Sequence, residues 1–242
     1  MKRSKGNSSL AAEAYSVVRQ RIFSGSLVLG QAVSRRKLAA ELGMSFLPVS
    51  EALQRLELEG LLESKPRAGT RVRIPSREDV AGHYVVREAL EVQAAILFGK
   101  VATPFERTEL RKLATRVDAL STKPDRSMYL ELHQKLHQRI FEGTHCSALC
   151  DAIERAHALA WVWFCATRSR RLEAVQNRHQ DLVDEILSGD ADRAARAVRE
   201  HLVVGRERTL EALEPFFKQN VDVERFSRTD KNLPYAAAAG MR

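Results

Sequence analysis

The chain has 242 residues, of which 44% are hydrophobic and 29% charged, so it is long enough for two modest domains and far from the composition of a disordered polymer. The formal net charge is +8, and residues 1–76 hold 13 basic against 6 acidic residues, which places +7 of the excess there. Clustered Lys and Arg attract polyanions by releasing counterions. Nucleic acid is therefore a candidate partner of this first part, although basic residues also serve simply to solubilise a surface.

Membrane insertion and secretion are not expected from the sequence. The longest apolar run, residues 158–166, is shorter than the roughly 18 to 20 residues that span a bilayer. The basic start leads into no apolar signal segment, and three cysteines are too few and too odd in number for a disulfide framework. We expect a protein of the cytoplasm with no membrane partner.

The first third of the chain begins with three helical patterns. Apolar residues three and four apart predict helices at 13–23, 34–42 and 45–58. Ser34 and Ser45 are suitable N-caps, and Gly43 separates the second helix from the third. Two helices joined by a short turn that contains glycine are typical of a helix-turn-helix.

After the third helix the pattern changes from helical to alternating. It predicts two strands, at 61–64 and 70–74, joined by a turn that contains both Pro and Gly. The sequence thus predicts a winged helix-turn-helix, whose third helix would enter the major groove by its N-terminal end. The basic wing would contact the DNA backbone or the minor groove through Lys65, Arg67 and Arg71.

The rest of the chain reads as amphipathic helices without a convincing strand. The helices are predicted at 85–98, 104–120, 127–142, 149–167 and 177–187, and a last one follows Asp190. The predicted fold class is mainly α, with an N-terminal winged helix-turn-helix and a C-terminal all-helical bundle. We place the boundaries at 1–10 for a basic extension, 11–76 for the DNA-binding domain, 77–215 for the helical domain and 216–242 for a C-terminal tail.

Four histidines of the helical part are placed so that they can meet. His133 and His137 are one helical turn apart on the same face. His179 and His201 stand 10 residues before and 12 residues after Gly189, so they lie opposite each other across an antiparallel hairpin. Imidazole nitrogens bind Zn, Ni, Cu or Fe, and bundles build metal sites from inward side chains. The alternative is four unrelated histidines, some exposed and some buried.

The first third resembles the GntR family of bacterial transcription regulators. The resemblance is carried by five blocks in order: residues 18–25 (VRQRIFSG), 38–45 (LAAELGMS), 48–53 (PVSEAL), 56–62 (LELEGLL) and 69–72 (GTRV). It implies a dimeric DNA-binding protein that is not an enzyme and acts more often as a repressor. A two-fold dimer implies a pseudo-palindromic operator on double-stranded DNA.

The candidate DNA contacts follow from this resemblance and from the predicted fold. They are Arg35, Arg36, Ser45, Phe46, Ser50, Lys65, Arg67, Gly69, Thr70 and Arg71. The family usually has Arg where this chain has Phe46 and Ser50, so two side chains that would contact guanine edges or phosphates are missing. Phe46 is suited either to contact a thymine methyl group or to pack on its own domain.

The helical part resembles the FCD ligand-binding domain of the FadR subfamily. His137 with residues 141–144, His179 within 178–183, and His201 within 200–202 match that pattern. The resemblance implies a metal site made of His133, His137, His179 and His201, with His133 at a position where the family usually has Asp. A site without a carboxylate favours Zn, with Ni or Cu as alternatives, over Mn or Mg.

In that subfamily the metal anchors the carboxylate of a small organic acid, which is the effector. Arg87 matches a family arginine near the cavity, and its planar guanidinium suits a carboxylate. The alternative is a structural ion pair with Glu88, Glu91 or a neighbouring helix. Two other functions stay open: a helical metalloenzyme built on Glu142 with His145 and Glu154 with His157, and a DNA-binding protein whose metal is purely structural.

Overall fold

The computed structural model describes residues 4–66, 68–121, 126–166 and 179–229, and within these ranges it contains nine helices and one small sheet. In chain order the elements are α1 (Ser4–Phe23), β1 (Ala32–Val33), α2 (Arg35–Leu42), α3 (Phe46–Leu58), β2 (Leu62–Lys65), β3 (Gly69–Val72), α4 (Arg77–Val101), α5 (Pro104–Leu120), α6 (Arg126–Glu142), α7 (Ser147–Ala166), α8 (His179–Leu187) and α9 (Ala191–Thr229). The mainly α fold with a winged helix-turn-helix at its start agrees with the predicted class.

The helices of the winged helix-turn-helix form as the local sequence signals predict. Ser34 caps α2 by accepting a hydrogen bond from the backbone N–H of Lys37 at 3.3 Å. Gly43 ends that helix with a φ of 62°, a left-handed conformation that costs glycine little. The apolar face of α3, including Val49 and Leu53, is buried and packs against α1. This packing holds the opposite face of α3 toward solvent.

The wing is a three-stranded antiparallel sheet in the order β1-β3-β2. Strand β1 was absent from the sequence prediction, because two residues are too few to show alternation. The sheet is tied to α3 by Glu57, whose carboxylate accepts hydrogen bonds from the backbone N–H of Ser64 at 2.8 Å and from its hydroxyl at 3.1 Å. The wing and α3 therefore form one unit.

The helical part surrounds a single buried core. Helix α4 packs on α9 and α7, and α5 packs on α6 and α8. Helices α4 and α8 approach closely at Gly99, where an added Cβ would lie 2.6 Å from the carbonyl oxygen of Ile186. None of the described helices is both long enough and apolar enough to cross a membrane.

Three helices are longer than predicted. Helix α1 begins at Ser4, so residues 4–10 are helical. Residues 9, 10, 12 and 13 are exposed, so this part of the sequence shows no apolar repeat. Helix α4 begins at Arg77 behind a capping box of Ser76 and Asp79. Helix α9 continues through Pro215 to Thr229, so residues 216–229 belong to it, and 230–242 lie outside the described residues.

Candidate metal centre and nucleic-acid interface

The four predicted histidines meet between three helices. His133 and His137 lie on α6, His179 is the first residue of α8, and His201 lies on α9. One ring nitrogen from each lies within 4.8 Å of the corresponding nitrogen of every other. The Nε2 atom of His137 is 3.3 Å from Nε2 of His133 and 3.3 Å from Nε2 of His201. The four histidines that the sequence predicted to meet are therefore the four of one candidate site.

Two of the separations between the histidine nitrogens match those around a tetrahedral metal ion. Zinc bound to imidazole nitrogens at ~2.0–2.1 Å has neighbouring ligand atoms ~3.3 Å apart when the site is tetrahedral, the separation seen twice here. A neutral imidazole nitrogen has either one hydrogen or one lone pair in the ring plane. The Nε2 atom of His137 can thus form a hydrogen bond with only one of its two neighbouring nitrogens. A shared metal ion, in contrast, would be bound by all four histidines.

The protonation state of the cluster also suits metal binding. Burial, together with the neighbouring His179, lowers the pKa of His201 to about 3. Burial and the adjacent histidines hold the pKa of His133 and of His137 well below the usual range. These rings are neutral at physiological pH, and a metal ion needs the neutral form because it binds the lone pair.

Asp118 on α5 orients the third ligand. Its Oδ1 lies 2.7 Å from Nδ1 of His179 and accepts the backbone N–H of the same residue at 3.0 Å. Its Oδ2 accepts the backbone N–H of Gln180 at 3.0 Å. Burial raises the pKa of this carboxyl, but the N–H donors of Gln180 and His179 outweigh that effect and the pKa is lowered. With Nδ1 held by the carboxylate, Nε2 is the nitrogen of His179 that would bind a metal ion.

Replacing Asp118 by Asn should lower zinc affinity about 10- to 100-fold, because partners behind a ligating histidine contribute on that scale. Zinc competition with a chromophoric chelator measures the change. Asp184→Asn is the control, since Asp184 is an exposed acid on α8 whose partner is Arg111. Equal zinc affinity in the Asp118 variant and the wild type would contradict the assigned role.

A buried charged cluster adjoins the four histidines. The carboxylate of Glu91 on α4 accepts hydrogen bonds from Nε of Arg87 at 2.6 Å and contacts Nε2 of His157 at 2.9 Å, and its other oxygen is 4.0 Å from Nδ1 of His137. Burial raises the pKa of Glu91, but Arg87 and His157 outweigh it and hold that pKa far below its usual range. Arg87 therefore already pairs with a carboxylate of its own chain. This is the ion pair with Glu91 that the sequence left open as an alternative to effector binding.

The metal-free protein should lose stability as the pH falls below about 6.5. A histidine whose folded pKa is about 3 stays neutral in the native state, whereas in the unfolded chain it gains a proton below about 6.5. The unfolded state then binds more protons, so stability falls with falling pH by up to about 1.4 kcal/mol per pH unit for each such group.

Urea unfolding of chelator-treated protein between pH 7.5 and 4.5 measures this dependence. His201→Gln should flatten the profile, because the titrating ring is gone. His145→Gln should leave it unchanged, since the side chain of His145 is 53% exposed. A profile with the same slope in all three proteins would refute the assignment.

The candidate DNA contacts divide into outward-facing and internal side chains. Arg35 and Arg36, at the start of α2, are exposed, as are Ser45, Lys65 and Gly69, while Ser50 is half-buried. Phe46 is 56% exposed, so it does not pack into its domain. Arg67 lies outside the described residues.

Two of the predicted DNA contacts, Thr70 and Arg71, have partners within the wing itself. Thr70 is 6% exposed and its hydroxyl lies 2.9 Å from that of Ser64. Arg71 pairs with Glu63 on the neighbouring strand, with Nε at 2.5 Å from the carboxylate. Their side chains face cross-strand partners because Thr70 and Arg71 stand directly opposite Ser64 and Glu63 in the sheet register.

A winged helix-turn-helix joined to a helical domain with a buried polar centre defines a DNA-binding regulator with a sensory domain. Residues 10–72 match the bacterial regulatory proteins of the GntR family, and residues 83–203 match the FCD domain. The chain therefore belongs to the GntR family and carries an FCD domain. Members of these families are transcriptional regulators, not enzymes, which bind DNA and respond to small molecules through the FCD domain.

Named relatives agree with this assignment. The chain is 27% identical over 192 residues to the uncharacterized HTH-type transcriptional regulator YdhC of Bacillus subtilis strain 168, covering 77% of this chain and 85% of that one. It is 28% identical over 200 residues to a protein of Paenarthrobacter nicotinovorans named as a probable D-xylose utilization operon transcriptional repressor, covering 80% and 85%.

Solved structures show the same fold. A GntR transcriptional regulator from Rhodococcus sp. RHA1 superposes with a TM-score of 0.69 at 20% identity, covering 84% of this chain and 99% of that one. The E. coli protein McbR/YncC gives a TM-score of 0.61 at 20% identity, covering 86% and 98%.

The residues proposed for a di-iron enzyme do not share one site. His145 lies beyond the end of α6 and pairs with Glu106 at 3.3 Å, while His157 contacts Glu91. No local pattern in the sequence links Asp118 to the histidine cluster, because it lies 61 residues from His179. Glu91 was noted only as a partner of Arg87.

Proposed function

We propose that this transcriptional regulator is a repressor whose operator affinity is set by a small carboxylate-bearing effector at a zinc site formed by His133, His137, His179 and His201. The observation that carries the proposal is the convergence of four imidazoles, two buried and two half-buried, whose nitrogens lie within 4.8 Å of one another, in a chain whose other domain is a winged helix-turn-helix. Neutral nitrogen donors without a carboxylate favour zinc, with nickel and copper as the nearest alternatives.

The effector carboxylate would bind the metal and the guanidinium of Arg87. The bond from Arg87 to Glu91 uses Nε, one of the five N–H donors of an arginine. An incoming anion would therefore compete with Glu91 or share Arg87 with it. Either event changes the charge balance around His157 and His137, which both lie within 4.0 Å of Glu91.

Helix α4 connects this centre with the DNA-binding domain. Glu91 lies 12 residues, or ~18 Å along the axis, beyond Asp79 at the start of the helix. Asp79 accepts a hydrogen bond from Arg73, just after the wing, at 2.7 Å. A shift of α4 upon effector binding would thus alter the pose of the winged domain, and DNA affinity changes if the effector prefers one pose.

The same helix supports a homodimer. Its outer face exposes Val85, Val86 and Ala89, with Val85 69% and Val86 51% exposed. This apolar strip at helical spacing is a candidate contact surface, on which a second copy of α4 would pack by two-fold symmetry. A dimer would present two α3 helices to a pseudo-palindromic operator.

Fluorescence anisotropy tests the function. The full-length protein is titrated onto DNA from the region upstream of its own gene and onto scrambled DNA, over a salt series, with zinc and with a panel of small organic acids. Specific, steeply salt-dependent binding that one acid weakens is the expected result. Specific binding that responds to no acid would favour a purely structural metal, and equal binding to both DNAs would overturn the proposal.

A further inference from the structure

The DNA-facing end of α3 is apolar. Phe46 and Leu47, the first two residues of the helix, are 56% and 57% exposed, while Pro48, Val49 and Leu53 are buried against the domain core. In a helix-turn-helix the N-terminal residues of the recognition helix reach the base edges. Two large apolar side chains therefore occupy the positions from which bases are contacted.

The outward side chains that follow Phe46 and Leu47 on α3 are neutral or acidic as far as Gln54. Ser50 is half-buried, and Glu51 and Gln54 are exposed on the same face. Arg55 is the single basic residue of α3, and its guanidinium lies 4.0 Å from the ring centroid of Tyr15, with Nε 3.3 Å from Glu59. It stands nine residues, or ~14 Å, beyond Phe46, at the far end of the helix.

This set of side chains matches some base pairs and not others. Guanine presents two acceptors in the major groove and is contacted by Arg or Lys, thymine presents a methyl group suited to apolar side chains, and adenine is contacted by Gln or Asn. The carboxylate of Glu51 accepts only from the amino groups of adenine or cytosine. The N-terminal end of α3 carries no Arg or Lys, the side chains that most often contact guanine.

We propose that α3 recognises A·T base pairs, with Phe46 and Leu47 contacting thymine methyl groups and Gln54 contacting an adenine edge. The proposal rests on the DNA binding proposed above. DNA is the expected partner of this apolar pair because Arg35, Arg36 and Lys37 are exposed at the start of the preceding helix, where they can contact the phosphates on either side.

Replacing thymine by deoxyuracil removes only the methyl group and so tests this contact. DNA bound by the full-length protein is first selected from a random-sequence pool. Each thymine of the selected half-site is then changed in turn, and affinity is measured by anisotropy. We expect about a fourfold loss at one or two positions, corresponding to ~0.8 kcal/mol for one buried methyl group, and no loss elsewhere.

Matched variants assign the contact to α3. Phe46→Ala and Leu47→Ala should each bind thymine and deoxyuracil DNA equally at the position that the replaced side chain contacts, because the methyl group there has lost its neighbour. Leu58→Ala is the control: Leu58 is 90% exposed on the same helix but at its far end, so discrimination should persist.

The outcomes separate this inference from the proposed function. If no sequence is enriched over the pool, specific DNA binding itself fails. If a G·C-rich half-site is selected, or if affinity is unchanged by deoxyuracil at every position, α3 does not read thymine methyl groups although the protein binds DNA. If Phe46→Ala changes self-association and leaves DNA binding intact, the apolar pair is a protein contact and the inference is overturned.

Discussion

Replacement of His137 by alanine is expected to lower zinc affinity by more than about 100-fold, since even the partners behind a ligand contribute about 10- to 100-fold. His137 is the central residue of the proposed site, because its Nε2 lies 3.3 Å from two of the other three ring nitrogens. Removing it leaves three imidazoles, and the neighbouring Glu91 is already held by Arg87 and His157.

Metal content after purification and competition with a chromophoric chelator measure the loss. His145→Ala is the matched control, because this histidine follows the same helix but is 53% exposed and pairs with Glu106. Thermal unfolding without metal shows whether the variant folds: zinc should raise the melting temperature of the wild type and of the control, but not that of His137→Ala. Retention of one zinc per chain at wild-type affinity would refute the four-histidine site.

The parts of this site that periodicity describes were predictable. His133 and His137 share a helix face at a spacing of four residues, and His179 and His201 are placed by the turn at Gly189 and the rise of the two helices that flank it. These relations are local or depend on one short turn. The fold was predictable for the same reason, because the sequence shows capping residues directly. Ser34 and Asp190, for example, cap the first turns of α2 and α9.

The contacts that orient the ligands were not predictable. Asp118 meets His179 across 61 residues and Glu91 meets His157 across 66, and both depend on how helices pack, which a single sequence does not reveal. Strand β1 has two residues, too few for a pattern. Phe46 left two interpretations open, because an apolar residue at a helix start is compatible with either the core or the surface until its exposure is known.

The second large effect is expected at Gly99, where α4 and α8 touch. An alanine Cβ there would lie 2.6 Å from the carbonyl oxygen of Ile186, a backbone atom that cannot rotate away. The two helices must therefore separate, and overpacking of this kind costs about 1–3 kcal/mol or more. Helix α8 also carries His179 at its first residue, so separation should displace one zinc ligand and weaken zinc binding as well.

Gly205→Ala provides the comparison within the same bundle. Gly205 lies in α9, and an added Cβ would meet Tyr84 at 3.4 Å, an ordinary van der Waals contact. Alanine is favoured over glycine within a helix by roughly 0.5–1 kcal/mol, so this variant should be as stable as the wild type or more so. Urea unfolding of both variants, with and without zinc, measures the difference. If Gly99→Ala matched Gly205→Ala in stability and zinc affinity, the close approach of α4 and α8 would not be what positions His179.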